Sequence, residues 1–163
     1  MPDNPDLDPE ISRASHYGGS RNAGGIPTQT MGHLSDVLFL DDDDDLRATF
    51  ADLVKTIFAR ECYGIGSYRE LTALGERALD CGVAILDINL GPEAPSGIDS
   101  YGWLRKHGFH GRIVFLTGHA ATHPLVVEAK RLGDAEVIGK PVSLDRLTSM
   151  LEDQPSYEEH PPQ

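Results

Sequence analysis

Short apolar runs alternate along this chain with longer stretches in which apolar residues recur at helical spacing. Runs of four to six apolar residues are typical of buried strands, whereas helical spacing gives a segment one apolar face. The predicted strands lie at 37–40, 62–67, 83–86, 113–116 and 136–138. Because each is followed by a helical pattern, the sequence predicts five βα units and a parallel sheet.

Glycine and serine positions refine the predicted elements. Gly64 and Gly66 interrupt the second apolar run, which predicts a weak and broken strand there. Apolar residues at helical spacing over 71–79 predict a single helix after that strand. Ser143 is placed to cap the last helix, because its hydroxyl oxygen can accept a hydrogen bond from a free backbone N–H of the first turn.

Five βα units of this size predict a doubly wound α/β fold, a three-layer α/β/α sandwich around a parallel sheet. Polar side chains follow four of the predicted strands, and these residues are Asp41, Asp42, Asp87, Thr117 and Lys140. The carboxyl ends of parallel strands meet at one edge of the sheet, where ligands bind in such folds. We therefore expect carboxylates, a hydroxyl and an ammonium group in one pocket.

Composition separates the ends of the chain from its middle. The 163-residue sequence is rich in Pro, Gly, Ser, Asn and Asp over 1–33, where no hydrophobic period is present, and the segment 153–163 is similar. Such composition is typical of flexible tails. The folded domain is therefore predicted to span 34–152, and Met31, just before it, is an alternative start of translation.

Charge and cysteine content exclude several functional classes. A net charge of −12 argues against nucleic-acid binding, which needs a basic surface. No apolar segment is long enough for a membrane helix, and the N-terminus lacks the apolar core of a signal peptide. Cys62 and Cys81 do not form a disulfide framework, so a reduced, cytoplasmic protein is predicted, with both cysteines packed in the core.

The predicted pocket suits a divalent cation and a phosphoryl group. Three carboxylates a few ångströms apart repel one another by roughly 4 kcal/mol per pair at an effective dielectric constant near 20. Mg²⁺ relieves that repulsion, since it is usually held by one or two carboxylates together with other oxygen ligands. Thr117 and Lys140 are candidate donors to the oxygens of a phosphorylated Asp87.

Four motifs occur in order along the chain, LDDDDDLR, ILDIN, FLTG and GKP, each at the end of a predicted strand. Together they resemble the receiver domain of two-component response regulators, over about residues 35–152. The resemblance implies a flavodoxin-like sheet of strand order 2-1-3-4-5. It also implies a bacterial phosphoprotein of signal transduction, similar to the stand-alone chemotaxis regulators.

By this resemblance Asp87 is the expected phosphoacceptor. Asp41 and Asp42 are the expected acidic pair, and they hold Mg²⁺ together with Asp87 and the backbone carbonyl of Asn89. The phosphoryl donor is expected to be a sensor histidine kinase or a histidine phosphotransfer protein, and the output an unknown downstream protein. Apart from its own phosphorylation and dephosphorylation such a domain is not an enzyme.

The resemblance also assigns the other side of the pocket and shows where this chain differs. Thr117 and Lys140 are expected to bind the phosphoryl group, and the peptide bond before Pro141 is expected to be cis. Val137 stands where receivers usually carry the Tyr or Phe that takes part in switching. His119 stands at a position that tunes dephosphorylation in the family.

Alternative functions remain open at the level of sequence. Without a switch aromatic, the chain is also consistent with a receiver-like interaction module whose output does not respond to phosphorylation. Asp41-x-Asp43 superficially resembles the nucleophile motif of haloacid-dehalogenase phosphatases. A calcium-binding EF-hand loop is excluded because its sixth position requires Gly and holds Leu46. Residues 43–45 are interpreted as a solvated, acidic start of the first helix.

Overall fold

The structure is a computed structural model that describes residues 35–152. The predicted tails 1–33 and 153–163 lie outside the described residues, as does Met31. Within 35–152, no helix combines the length and the apolar character needed to cross a membrane.

In this part of the chain, five parallel strands form one sheet in the order β2-β1-β3-β4-β5, which confirms the predicted doubly wound fold. The strands are β1 (Val37–Leu40), β2 (Cys62–Ile65), β3 (Val83–Asp87), β4 (Arg112–Thr117) and β5 (Ala135–Gly139). The three central strands are buried almost throughout. This explains why they appear in the sequence as continuous apolar runs rather than alternating ones.

Within the described residues, six helices connect and flank the strands. They are α1 (Asp44–Phe58), α2 (Tyr68–Leu74), α3 (Glu76–Leu79), α4 (Gly97–Lys106), α5 (Pro124–Arg131) and α6 (Leu144–Leu151). Side chains from α2 to α5 pack on one face of the sheet, and side chains from α1 and α6 pack on the other. Successive strand residues point to opposite faces, so each central strand contributes to both cores.

Two predicted details are wrong. The strand β2 is not broken, because Gly64 pairs in register with Phe39 of β1 and Gly66 lies beyond the end of β2. The helix predicted over 71–79 is two helices, since Gly75 between them has φ +58°. Only a residue without a side chain adopts that conformation readily, so the helix ends there and the chain turns.

Candidate functional site

The polar residues predicted from the strand ends do converge at one edge of the sheet. Asp41 follows Leu40, which pairs with Leu86, so Asp41 and Asp87 project from equivalent positions of neighbouring strands. On the other side, Thr117 ends β4 opposite Gly139, the residue before Lys140. The parallel register thus brings residues distant in sequence into one pocket.

Three carboxylates form the centre of this pocket. Ligand oxygens of Asp41, Asp42 and Asp87 all lie within 4.8 Å of one another. Asp41 and Asp87 are buried, with 1% and 6% of their surface exposed, whereas Asp42 is open to solvent. Oxygen ligands at this spacing fit a hard divalent cation, which is normally held by carboxylates, carbonyl groups and water.

Lys140 supplies the positive charge that this arrangement requires. Its Nζ donates to Asp41 Oδ2 at 2.7 Å and to Asp87 Oδ2 at 2.9 Å. Burial raises the pKa of Asp87, and the hydrogen bond and charge of Lys140 oppose that rise. Burial lowers the pKa of Lys140, but hydrogen bonds to Asp41 and Asp87 outweigh it and the net shift is upward. Lys140 is therefore a firmly charged partner of both carboxylates.

Local turns aim the side chains of the site. In three places a side-chain oxygen at a strand end accepts a hydrogen bond from the backbone N–H two residues later, which is the pattern of Asx and Ser/Thr turns. The pairs are Asp43 N with Asp41 Oδ1 at 3.0 Å, Asn89 N with Asp87 Oδ1 at 3.3 Å, and His119 N with Thr117 Oγ1 at 3.0 Å. Each turn fixes its side chain over the edge of the sheet.

Thr117 and Lys140 are joined through the backbone. Thr117 is buried, and its carbonyl oxygen accepts a hydrogen bond from the Lys140 backbone N–H at 2.7 Å. The following Lys140–Pro141 peptide bond is cis. Val137 is half-buried and packs in the core between the sheet and α2–α5. An aliphatic side chain therefore occupies the position at which the resemblance leads us to expect a Tyr or Phe.

A cleft of about 340 Å³ lies over the carboxylates. Asn89 and His119 line it together with Asp42, Asp87 and Lys140. The exposed His119 ring stacks on His123, with ring centroids 4.2 Å apart. His123 is the N-cap of α5 and accepts a hydrogen bond from the Leu125 backbone N–H, so it has a structural role.

The remaining aspartates of the acidic run belong to the helix. Asp43 is the N-cap of α1, and its carboxylate accepts a hydrogen bond from the Leu46 backbone N–H at 3.0 Å. Asp44 and Asp45 occupy the first turn, where the helix dipole favours negative charge. This agrees with the interpretation of residues 43–45 as an acidic helix start.

Two residues next to the site were missed by the sequence analysis. Arg47 donates a hydrogen bond to the Asp41 carbonyl oxygen at 2.6 Å. Gly97 packs against the backbone of Asp87, since a Cβ at this position would lie 2.2 Å from the Asp87 carbonyl oxygen. Neither contact follows from spacing, because both depend on how a helix is seated on the sheet. The available signal is the arginine five residues after Asp42.

Residues 37–152 match the family model described as the response regulator receiver domain. The chain belongs to this family. No curated protein matches the sequence. Receiver domains accept a phosphoryl group on an aspartate in two-component systems and bind Mg²⁺ through an acidic pocket. They are generally signalling modules rather than enzymes, so membership argues against the haloacid-dehalogenase alternative.

Solved structures agree with this assignment. A receiver domain protein from Clostridium thermocellum is 25% identical, with a TM-score of 0.61 over 72% of this chain and 90% of that chain. A Vibrio cholerae chemotaxis protein is 22% identical, with a TM-score of 0.59 over 72% and 95%. The receiver domain of a putative Luxo repressor protein from Vibrio parahaemolyticus is 24% identical, with a TM-score of 0.58 over 71% and 85%. The two Vibrio structures support the fold alone.

Proposed function

We propose that this receiver accepts a phosphoryl group on Asp87 and signals through contacts with other proteins. The observation that carries the proposal is the position of the Asp87 carboxylate, which is grouped with those of Asp41 and Asp42 and hydrogen-bonded to Lys140. Asp87 also borders the open cleft, where a phosphoryl donor can reach it. An oxygen nucleophile, a cation site and a fixed ammonium group are the parts that phosphoryl transfer needs.

In the proposed metal site Asp41, Asp42 and Asp87 hold Mg²⁺, together with the backbone carbonyl of Asn89. When bound, the ion neutralises the charge that gathers on the phosphoryl oxygens. The grouping of the three carboxylate oxygens supports this ligand set. Asp42 faces solvent and leaves room for the water molecules that Mg²⁺ usually retains.

Transfer follows from the groups around Asp87. One carboxylate oxygen attacks the phosphorus of a phosphohistidine, and the new P–O bond forms as the P–N bond breaks and the imidazole leaves with its electron pair. Lys140 and Thr117 then donate to the phosphoryl oxygens. Because the Thr117 carbonyl oxygen accepts a hydrogen bond from the Lys140 backbone N–H, a movement of Thr117 also displaces the start of the β5–α6 connection. This turns a local change of charge into a change of surface.

The proposed donors are a sensor histidine kinase or a histidine phosphotransfer protein, and the proposed role is that of a stand-alone regulator with a protein target. His119 at the edge of the cleft is proposed to tune the lifetime of the phosphoryl group, because it borders the path by which water reaches Asp87.

Labelling by acetyl phosphate in the presence of Mg²⁺ tests the proposal. Wild-type protein should gain one phosphoryl group by intact mass spectrometry, and Asp87→Asn should gain none. Asp41→Asn should label at a strongly reduced rate because the cation site loses a ligand. Asp45→Asn is the matched control, since Asp45 is an exposed aspartate of the same acidic run, and it should label like the wild type.

Labelling that survives in Asp87→Asn would refute the assignment of the phosphoacceptor. Wild-type labelling that is unchanged after removal of Mg²⁺ by a chelator would refute the proposed metal dependence.

Position 137 holds Val rather than an aromatic residue, which favours a second candidate function. In this candidate the chain is an interaction module whose output does not respond to phosphorylation. Beryllofluoride, which imitates the phosphoryl group on an aspartate, separates the two. A change of oligomeric state or partner affinity in Mg²⁺ and beryllofluoride supports a responsive output. Binding without either change supports the second candidate.

A further inference from the structure

Arg47 reaches from α1 to the backbone of the acidic pair. Its Nη1 donates to the Asp41 carbonyl oxygen at 2.6 Å, and its Nη2 forms an ion pair with the Asp44 carboxylate. The side chain is only 17% exposed although it carries a full charge. A guanidinium group with planar, directional donors is suited to fixing a carbonyl oxygen and a carboxylate together.

Two glycines of the neighbouring strand region make room for this side chain. A Cβ at Gly64 would lie 3.3 Å from the Arg47 Cβ. A Cβ at Gly66 would lie 2.8 Å from Arg47 Nη1 and 3.1 Å from its Cζ. Gly66 is not among the glycines with positive φ, so its backbone conformation does not demand glycine. A methyl group at this position would therefore displace the end of the Arg47 side chain.

The hydrogen bond from Arg47 is one of several that hold the backbone and side chain of Asp41 in place. The Asp41 backbone N–H donates to Ile65 in β2 at 3.1 Å. Its carboxylate is held by the Asp43 N–H and by Lys140. The Asp41 carbonyl and the Asp42 nitrogen belong to one planar peptide unit, so fixing that oxygen also fixes the direction in which Asp42 leaves the strand.

We propose that Arg47 is a positioning residue that holds the Asp41–Asp42 turn in its cation-binding conformation before Mg²⁺ binds. The absence of a side chain at Gly66 leaves space for the Arg47 guanidinium group. This inference rests on the proposed function of the site. Groups that orient metal ligands typically change metal affinity roughly 10–100-fold when they are removed.

Calorimetric titration of the full chain with Mg²⁺ tests the proposal. Arg47→Ala should bind Mg²⁺ about tenfold more weakly than the wild type, while its unfolding midpoint in metal-free urea falls only modestly, because the Asp41 carbonyl oxygen loses one donor. Arg47→Lys, which can donate a single hydrogen bond but lacks the planar pair of donors, should lie between the two. Gly66→Ala should also weaken binding, because the new methyl group displaces the guanidinium group.

A double-mutant cycle separates this mechanism from a general loss of structure. If Gly66 acts through Arg47, Gly66→Ala should have no further effect in the Arg47→Ala background. Gly102→Ala is the control, because Gly102 lies on α4 and a Cβ there meets nothing within 4 Å, and it should bind Mg²⁺ like the wild type.

The outcomes are distinguishable from those of the proposed function. A wild-type protein that binds no Mg²⁺ contradicts the proposed function itself. Wild-type binding with equal affinity in Arg47→Ala overturns the role of Arg47, as does a loss of affinity that only parallels a loss of folding stability. Additive effects of the two substitutions overturn the role of Gly66.

Discussion

Gly97 shows how a single missing side chain shapes the site. It is the first residue of α4, its backbone N–H donates to the Ile88 carbonyl oxygen at 2.9 Å, and a Cβ would lie 2.2 Å from the Asp87 carbonyl oxygen. Backbone atoms cannot yield as a flexible side chain can. Because of this contact, the start of α4 rests directly on the peptide of the proposed phosphoacceptor.

Gly97→Ala should therefore destabilise the domain and disturb Asp87 together. Overpacking of a tight contact typically costs about 1–3 kcal/mol, and we expect a loss in that range by urea unfolding. Acetyl phosphate labelling should slow as well, since the Asp87 backbone has to move. The control Gly102→Ala lies on the same helix in open space, and it should be neutral or stabilising by up to about 1 kcal/mol. Equal stability of both variants would refute the contact.

The two cysteines behave as packing residues. Burial raises the pKa of Cys62 to about 12 and that of Cys81 to about 12. At neutral pH both are therefore protonated thiols, and the thiolate is the form that reacts with oxidants and metals. Cys81 packs in the core beneath α2–α5 and Cys62 against the opposite core. These surroundings agree with the prediction that both cysteines are core residues.

At the scale of elements, the three central strands could be predicted because strands buried on both faces of a parallel sheet produce continuous apolar runs. The polar strand ends then located the site without any knowledge of tertiary structure. Gly64 and Gly66 misled the prediction, since glycine weakens strands in general and here makes room for Arg47. Gly75 was missed because the apolar spacing continues across the break between α2 and α3.

A polar cluster fastens α4 to the start of β5. Tyr101 donates its hydroxyl hydrogen to the Asp134 carboxylate, and Arg105 Nε donates to the same carboxylate at 2.9 Å. Arg105 Nη1 also donates to the Phe109 carbonyl oxygen at 2.8 Å. The Tyr101 ring lies 5.8 Å from that of Phe115 in β4. This cluster links α4, which packs on the same face of the sheet as the Val137 side chain, to the residue before β5.

The loss of stability caused by Asp134→Asn should depend on pH if Asp134 links α4 to β5 as a carboxylate. The hydrogen bond from Tyr101 and the nearby Arg105 hold the pKa of Asp134 below its ordinary value of 3.8. Because the pKa of Asp134 is lower in the folded protein than in the unfolded chain, the ionised carboxylate stabilises the fold at pH values above 3.8. This stabilisation is lost as the pH falls through the lowered pKa of the folded protein. Because Asp134 is 49% exposed, the effect at pH 7 should be at most about 1 kcal/mol.

Urea unfolding of the wild type and Asp134→Asn near pH 7 and near pH 3 measures this difference. The gap in stability should be larger at the higher pH. Asp52→Asn, at an exposed position of α1, controls for the general loss of one negative charge. If the difference in unfolding free energy is the same at both pH values, or equals that of Asp52→Asn, the Asp134 carboxylate does not stabilise the fold through Tyr101 and Arg105.

At the scale of the whole molecule, one buried arginine joins the beginning and the end of the described chain. Arg60 is 2% exposed and follows α1. Its Nε donates to the Ser35 carbonyl oxygen before β1 at 2.5 Å, and its Nη1 donates to the Leu151 carbonyl oxygen at the end of α6 at 2.6 Å. The first strand and the last helix are thereby held at the edge of the sheet opposite the site.

Arg60→Met should destabilise the domain without altering the site directly. Methionine fills much of the same space but leaves the Ser35 and Leu151 carbonyl oxygens without this donor, and each buried group left unpaired costs about 1–3 kcal/mol. We expect a loss of about 2–6 kcal/mol by urea unfolding, because two such groups lose this donor. Mg²⁺ affinity of the folded protein should stay within about twofold of the wild type, because additivity holds for distant sites. A stable variant, or a folded one with much weaker Mg²⁺ binding, would contradict a purely structural role for Arg60.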